Sequence, residues 1–70
     1  MNIHELLAYK RKQQGLSQVQ LASTLKVSQP DVSAWEKNRV PNTAYIIKLM
    51  VMYGITVQEI EAALKEVDPC

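Results

Sequence analysis

The amino-acid sequence predicts an all-α fold, in which five helices form one compact domain over residues 1–70. Three observations lead to this prediction. Apolar residues recur three and four positions apart, as on one face of a helix, and no stretch alternates as a half-buried strand would. Polar capping residues and two glycines divide the chain into short segments. A chain of 70 residues has room for only one small hydrophobic core.

Start and stop signals define the five elements in order. The capping-box pairs are Asn2 with Glu5, Ser17 with Gln20, Ser28 with Asp31, and Thr56 with Glu59. Gly15 and Gly54 suit the left-handed position that follows a helix, and Pro41 with Asn42 suits a helix start. We expect helices at about residues 3–14, 18–25, 29–37, 43–53 and 57–66.

The apolar positions of these helices form the expected core. Their spacing places them on one face of each helix, and the short connections force neighbouring helices to pack together. The expected core residues are Ile3, Leu6, Leu7, Leu21, Ala22, Leu25, Val32, Trp35, Ile46, Leu49, Met50, Tyr53, Val57, Ile60 and Leu64.

Only Lys26 and Val27 join the second and third helices, which therefore cross at a steep angle as a helix-turn-helix. The residues of the third helix that face away from the core are Gln29, Pro30, Ser33, Ala34 and Lys37. Small and amide side chains at a helix N-terminus suit the major groove of DNA, since Gln can bind adenine through two hydrogen bonds. Pro30 falls in the first turn, where its missing N–H has no intrahelical partner to lose.

The segment LSQVQLASTLKVSQPDVSAWEKN, followed by YGITVQEI, resembles the phage-repressor and Cro helix-turn-helix family of XRE type. The matching residues are Gln18, Leu21, Ala22, Val27, Ser28, Val32, Ser33, Trp35 and Glu36. The resemblance runs from Gln18 to Leu64, and the five-helix layout extends it to Ile3. It implies a lambda-repressor-like DNA-binding domain with its helix-turn-helix at about residues 18–37.

The resemblance also implies roles for individual residues. The expected contacts to base edges come from Ser28, Gln29, Pro30, Ser33 and Ala34. The expected contacts to phosphates come from Gln18, Lys37, Asn38 and Arg39. Arg11 and Glu36 match a partly buried ion pair between the first and third helices. The sequence departs from the family at Lys26, where members often have Gly, and at Lys37-Asn38, where they often have Asn-Gly.

A homodimer is expected because the fourth helix is apolar nearly all round. Ile47 and Val51 lie on a side that the core does not need, and the resemblance adds Ile55, Gln58 and Glu61 to the expected interface. In the alternative, the first helix or the C-terminal tail covers Ile47 and Val51.

The combined prediction is a sequence-specific regulator of transcription, a Cro-like repressor of phage or bacterial origin. It would bind a pseudo-palindromic double-stranded DNA operator as a dimer. The alternative is a protein-interaction module, an antirepressor or antitoxin with the same fold. An acidic fifth helix and an apolar fourth helix favour protein contact, whereas we expect no toxin-binding tail after Leu64, which argues against an antitoxin.

Charge and composition narrow the classes of function, partner and cellular location that remain. Residues 1–55 contain seven Lys and Arg against three acids, which fits an anionic partner and fits equally well solvated faces that differ in charge. The serines lack a nearby base and no glycine-rich phosphate loop is present, so no enzyme and no cofactor or small-molecule ligand is expected. One cysteine, Cys70, and one histidine, His4, argue against a disulfide or zinc site, and His4 is expected on the surface. No membrane span or signal peptide is expected, which favours a cytoplasmic, nucleoid-associated protein in a bacterial cell.

Overall fold

The computed structural model describes residues 1–66 and contains five α-helices in that range. The helices are α1 (Ile3–Gln13), α2 (Gln18–Leu25), α3 (Gln29–Trp35), α4 (Thr43–Tyr53) and α5 (Val57–Lys65). The all-α prediction is confirmed. The predicted ends of α1 and α5 are one residue too late. Cys70, predicted to lack a disulfide partner, lies outside the described residues.

Helix α3 ends at Trp35, two residues earlier than the sequence predicted. The backbone N–H groups of Lys37, Asn38 and Arg39 all donate to the carbonyl oxygen of Ala34, at 3.1, 2.9 and 2.9 Å. Because three N–H groups share one acceptor, the chain is tightly wound over the last turn of α3, and the regular α-helical hydrogen-bond pattern ends there. The residues after α3 are therefore held against its C-terminal end.

Side-chain caps define the helix starts, as the sequence signals indicated. Helices α1, α2, α3 and α5 each begin with a complete capping box, in which cap and third residue exchange hydrogen bonds. Helix α4 begins with Asn42 alone, whose side chain accepts from the N–H of Tyr45 at 3.1 Å. These local bonds explain why short helices of seven to eleven residues have well-defined starts.

The turn between α2 and α3 depends on an unusual backbone conformation. Lys26 has φ 58° and ψ 44°, the left-handed region, and it is the non-glycine residue with positive φ in residues 1–66. Its N–H bonds to carbonyls of α2 and closes that helix, and the N–H of Val27 follows with a 2.9 Å bond to Ala22 O. Lys26 thus adopts the conformation that glycine adopts with the least steric cost.

The core lies between all five helices. Its buried members are Ile3, Leu6, Leu7, Leu21, Ala22, Leu25, Val32, Trp35, Leu49, Tyr53, Ile55, Ile60 and Ala63, and Ile46 and Met50 pack against them while half-buried. The prediction was wrong for Val57 and Leu64, which are exposed. Helix α5 packs on α1, and its buried side chains are Ile60, which the sequence predicted, and Ala63, which it did not.

None of the helices in the described part of the chain combines the length and apolar character needed to cross a membrane.

Candidate nucleic-acid interface

Helices α2 and α3 form the surface on which most of the predicted site residues lie. They pack closely together across the three-residue connection, residues 26–28, and half-buried Val27 contacts the core from inside the turn. Leu21 and Ala22 on α2 and Val32 on α3 are buried, which fixes the relative position of the two helices. The N-terminal residues of α3 are left at the surface as a consequence.

The five residues predicted to contact bases differ in accessibility. Ser28, Gln29 and Pro30 are exposed, whereas Ser33 and Ala34 are half-buried. The hydroxyl of Ser28 accepts from the N–H of Asp31 at 3.3 Å, so it caps α3. Pro30 lies within the first two positions of α3, where its missing N–H breaks no helical hydrogen bond.

Beneath this surface, Arg11 and Glu36 form a two-point ion pair. Arg11 Nε donates to Glu36 Oε2 at 2.7 Å, and Arg11 Nη2 donates to Glu36 Oε1 at 3.1 Å. Arg11 Nη1 also donates to the carbonyl of Leu16 at 2.7 Å. The hydrogen bond with Glu36 raises the pKa of Arg11 above its usual value. The two side chains are only 11% and 7% exposed, so the pair ties α1 to the end of α3 where water is largely excluded.

Hydrogen bonds link the ion pair to two glutamines, and the sequence did not predict these bonds. Gln18 Nε2 donates to Glu36 Oε1 at 3.0 Å, and Gln29 Nε2 donates to Gln18 Oε1 at 2.6 Å. A carboxylate paired with arginine can only accept, so Gln18 must turn its amide N–H₂ toward Glu36. The Gln18 carbonyl then faces Gln29 and requires a donor there.

This chain of bonds fixes what Gln29 presents to solvent. One N–H of its amide is used by Gln18, which leaves one N–H donor and the Oε1 acceptor on an exposed side chain. Adenine presents an acceptor at N7 and a donor at N6 in the major groove. The two remaining groups of Gln29 match that edge. Gln18 likewise keeps one amide N–H beyond its bond to Glu36.

The residues after α3 that were predicted to contact phosphate are exposed, and one of them is hydrogen-bonded within the protein. Lys37, Asn38 and Arg39 are all exposed. Arg39 Nη2 donates to Asp31 Oδ1 at 2.9 Å, a bond that lies entirely on the surface. Hydrogen bonds from Arg39 and, secondarily, Ser28 hold the pKa of Asp31 below its usual value. Arg39 is therefore paired within the protein as well as placed near the candidate interface.

His4 was predicted to be an ordinary surface residue, and this prediction was wrong. Its side chain is half-buried, and Nδ1 lies 2.7 Å from the carbonyl oxygen of Trp35. A carbonyl accepts only, so Nδ1 carries the proton and donates. The contact ties the start of α1 to the C-terminal end of α3. No local pattern signals a bond between residues 31 positions apart.

Tyr53 lies beside the buried ion pair without bonding to it. Its hydroxyl is buried and has no hydrogen-bond partner within residues 1–66. Burial, together with the charge of Glu36, raises the pKa of Tyr53 to about 12, while the charge of Arg11 opposes this shift. A buried hydroxyl without a partner is destabilising, so it contrasts with the satisfied network next to it.

The residues predicted at the dimer interface differ in exposure, because four of them lie at the surface and one is buried. Ile47 and Val51 are 55% and 80% exposed, and Gln58 and Glu61 are also at the surface. Ile55 is 5% exposed and belongs to the core, so it was wrongly predicted at an interface. Its side chain turns inward because Gly54, in the left-handed conformation, ends α4 and redirects the chain.

A groove of about 540 Å³ runs beside Ile47 and Val51. It is lined by Thr24, Leu25, Lys26, Ile47, Lys48, Val51 and Met52, and is therefore mainly apolar with two lysines. In residues 1–66 no group of three His, Cys, Asp or Glu side chains is placed to hold a metal ion.

The chain matches a known protein family. A family model described as helix-turn-helix matches residues 7–60, which include α2, α3 and α4 and most of α1. Comparisons with curated proteins and with solved structures gave no match.

Proposed function

The chain belongs to the helix-turn-helix family of XRE type, that of Cro and lambda-repressor-like proteins, and from this membership we propose that it is a Cro-like repressor. Members of this family are DNA-binding regulators rather than enzymes. The proposed repressor binds a pseudo-palindromic operator as a dimer and blocks access to a promoter. Its proposed place of action is the DNA of a bacterial cell, without a cofactor or small-molecule ligand.

The hydrogen-bond chain from Arg11 to Gln29 carries this proposal. Because Gln18 fixes the orientation of the Gln29 amide, Gln29 presents one donor and one acceptor to a base edge. Preorganised side chains lose less conformational entropy on binding than mobile ones. Gln29 is accordingly the proposed adenine-reading residue, and the second N–H of Gln18 is directed to an adjacent phosphate.

The remaining contacts follow from position around Gln29. Pro30 and Ala34 are proposed to offer apolar surface to a thymine methyl group, and Ser28 and Ser33, which precede them by two and one residues, are proposed as further base contacts. Phosphates are proposed to bind Lys37, Asn38 and Arg39, which follow α3 without a break. The helix-turn-helix and its following loop would then provide both base and backbone contacts.

Dimerisation is proposed through the outer faces of α4 and α5. Ile47 and Val51 are large apolar side chains exposed on one side of α4, and Gln58 and Glu61 are exposed on α5. A two-fold dimer buries the same patch on both copies and places two recognition helices about 34 Å apart, one turn of DNA. That geometry requires an operator with two inverted half-sites.

A second candidate function, binding of another protein by the same fold, is favoured by the apolar groove beside α4. Its lining includes Leu25, Ile47 and Val51, which would suit an amphipathic segment of a partner such as an antirepressor's target or a toxin. In this case α4 would serve recognition of a different protein instead of a second copy.

A band-shift experiment separates the two candidates. The protein is titrated into random duplex at low salt and then into the DNA that flanks its own gene. The repressor hypothesis predicts weak, salt-sensitive binding to random duplex and much tighter binding to one flanking segment. Absence of binding to any duplex at low salt would favour the protein-interaction function.

A further inference from the structure

Asp31 and Arg39 form an ion pair at the edge of the proposed DNA-facing surface. Arg39 Nη2 lies 2.9 Å from Asp31 Oδ1. Asp31 is in the first turn of α3, the helix proposed to read bases, and Arg39 is in the loop proposed to contact phosphate. The protein therefore contains an acid bound to one of its own proposed phosphate-binding cations.

The backbone of Arg39 is fixed, whereas its side chain can leave Asp31 easily. Its N–H donates to Ala34 O at 2.9 Å, which holds the loop against α3. The ion pair itself has a single short bond, and its side chains are 55% and 40% exposed. Exposed pairs of this kind are weak, because water solvates both charges when they separate. A competing anion can therefore replace Asp31.

Capping of α3 does not require a negative charge at this position. The other oxygen, Asp31 Oδ2, accepts from the N–H of Ser28 at 3.3 Å, and a neutral amide oxygen can also accept this bond, although more weakly. A carboxylate beside DNA phosphates is unfavourable unless a cation neutralises it. Residues 18–37 contain one other acid, Glu36, and Arg11 already neutralises it. The charge of Asp31 thus interacts favourably with both the N-terminal end of α3 and Arg39, and of these two only Arg39 is a proposed phosphate-binding group.

We propose that Asp31 is a positioning residue whose carboxylate binds Arg39 in the absence of DNA, as a phosphate would. When DNA binds, Arg39 leaves Asp31 and binds a phosphate instead. The inference rests on the proposed DNA binding and adds to it a residue that moderates affinity. Two consequences follow. First, the binding free energy is reduced by the free energy needed to break the Asp31–Arg39 pair. Second, the released Asp31 attracts a cation from solution, which offsets part of the counterion release from DNA.

Four proteins test the exchange: wild type, Asp31→Asn, Arg39→Gln and the double variant. Each is titrated with random duplex over a series of salt concentrations. Asp31→Asn is expected to bind about two- to fivefold more tightly per protomer at low salt. Its log–log salt slope is expected to be steeper by up to about one per protomer. In the Arg39→Gln background, Asp31→Asn is expected to give a clearly smaller gain, because no internal pair is left to break and only the repulsion between the carboxylate and the phosphates is removed.

Asp31→Gln is a second neutral variant that retains a capping oxygen, and the same result is expected from it. Thermal melts establish that each variant is folded at the assay temperature. Unchanged affinity in both neutral variants would overturn the proposal. An equal gain with and without Arg39 would also overturn it, because Asp31 would then act by direct repulsion of phosphate. If no variant and no wild-type protein bound duplex, the proposed DNA binding itself would be wrong.

Discussion

The α2–α3 side and the α4–α5 side of the molecule are organised by different interactions. On the α2–α3 side, hydrogen bonds run from the buried pair Arg11–Glu36 through Gln18 to the exposed Gln29. On the α4–α5 side, apolar side chains stand at the surface without a covering neighbour among the described residues: Ile47, Val51, Val57 and Leu64. A fixed polar array is suited to a directional ligand such as a base edge, whereas exposed apolar area is suited to a protein surface.

The largest effect is expected from breaking the hydrogen-bond chain between Arg11 and Gln29 at its buried end. Glu36→Ala would leave Arg11 unpaired at 9% exposure and remove the acceptor that orients Gln18. We expect a loss of about 3–5 kcal/mol in the free energy of unfolding, measured by urea denaturation. Lys65→Ala is the matched control, because it breaks the fully exposed pair with Glu61 and should change stability by less than about 1 kcal/mol.

A melting temperature of Glu36→Ala within a degree or so of wild type would mean that the buried pair contributes little. The contrast between the two sides would then lose its energetic basis.

The next effect is expected on the apolar side. Val51→Glu places a charge at a position that is 80% exposed, so the monomer fold should be retained. If α4 forms the dimer interface, dimerisation should weaken at least about tenfold, which corresponds to about 1.4 kcal/mol. Sedimentation velocity at tens of micromolar, with and without operator, measures this change.

Val19→Glu on α2 is the control for Val51→Glu in the measurement without operator, since Val19 is also an exposed valine but lies outside the apolar side. Equal association of Val51→Glu and wild type would place the dimer surface elsewhere. A wild-type protein that stays monomeric on DNA and occupies one half-site would exclude the dimer.

A smaller effect is expected beneath the polar array, at Tyr53. Tyr53→Phe removes a buried hydroxyl that has no partner in residues 1–66, so stability should be unchanged or higher by up to about 1 kcal/mol. The raised pKa of Tyr53 has a further consequence. The folded state favours the neutral phenol, so this stabilisation is complete below about pH 10 and is lost as the pH rises toward about 12.

Urea denaturation of wild type and Tyr53→Phe between pH 8 and pH 11 checks both expectations, since the variant should lack the part of the alkaline loss that Tyr53 causes. A clear loss of stability in Tyr53→Phe at neutral pH would show that the hydroxyl has a partner, such as a water molecule.

The smallest effect is expected at Lys26, which belongs to both sides: it closes α2 before α3, and it lines the groove beside α4. Lys26→Gly relieves the left-handed strain but increases the entropy of the unfolded chain, so we expect a net gain of no more than about 1 kcal/mol. Lys26→Val, whose β-branched side chain tolerates positive φ poorly, should be clearly destabilised in the same assay. If glycine destabilised and valine did not, backbone conformation would not govern this turn.

Local signals in the sequence predicted the helices well because the signals act locally. The side chain of Ser17 caps α2 three residues away, and Gly54 ends α4 by its own backbone conformation. The start of every helix could therefore be read from a few neighbouring residues. The end of α3 could not, because it depends on how three successive N–H groups share the carbonyl of Ala34.

The sequence was less informative wherever the outcome depends on the angle between helices. The bond between Gln18 and Gln29 joins the first residues of two helices and exists only at the observed crossing geometry. Val57, Ile60 and Leu64 have the spacing of a buried face, yet in the packing of α5 on α1 only Ile60 of these three is buried, together with the unpredicted Ala63. Tertiary packing decides between faces that periodicity alone leaves equivalent.

The central claim is that the protein reads its operator through Gln29, held in position by Gln18. The most direct test is the binding free energy of wild type and Gln29→Ala for operator and for random duplex, at one salt concentration. Gln13→Ala, an exposed amide on α1, is the matched control. We expect Gln29→Ala to lose about 1–3 kcal/mol on the operator and little on random duplex, with no change for Gln13→Ala. Equal losses of Gln29→Ala on both duplexes, or none on either, would contradict the claim.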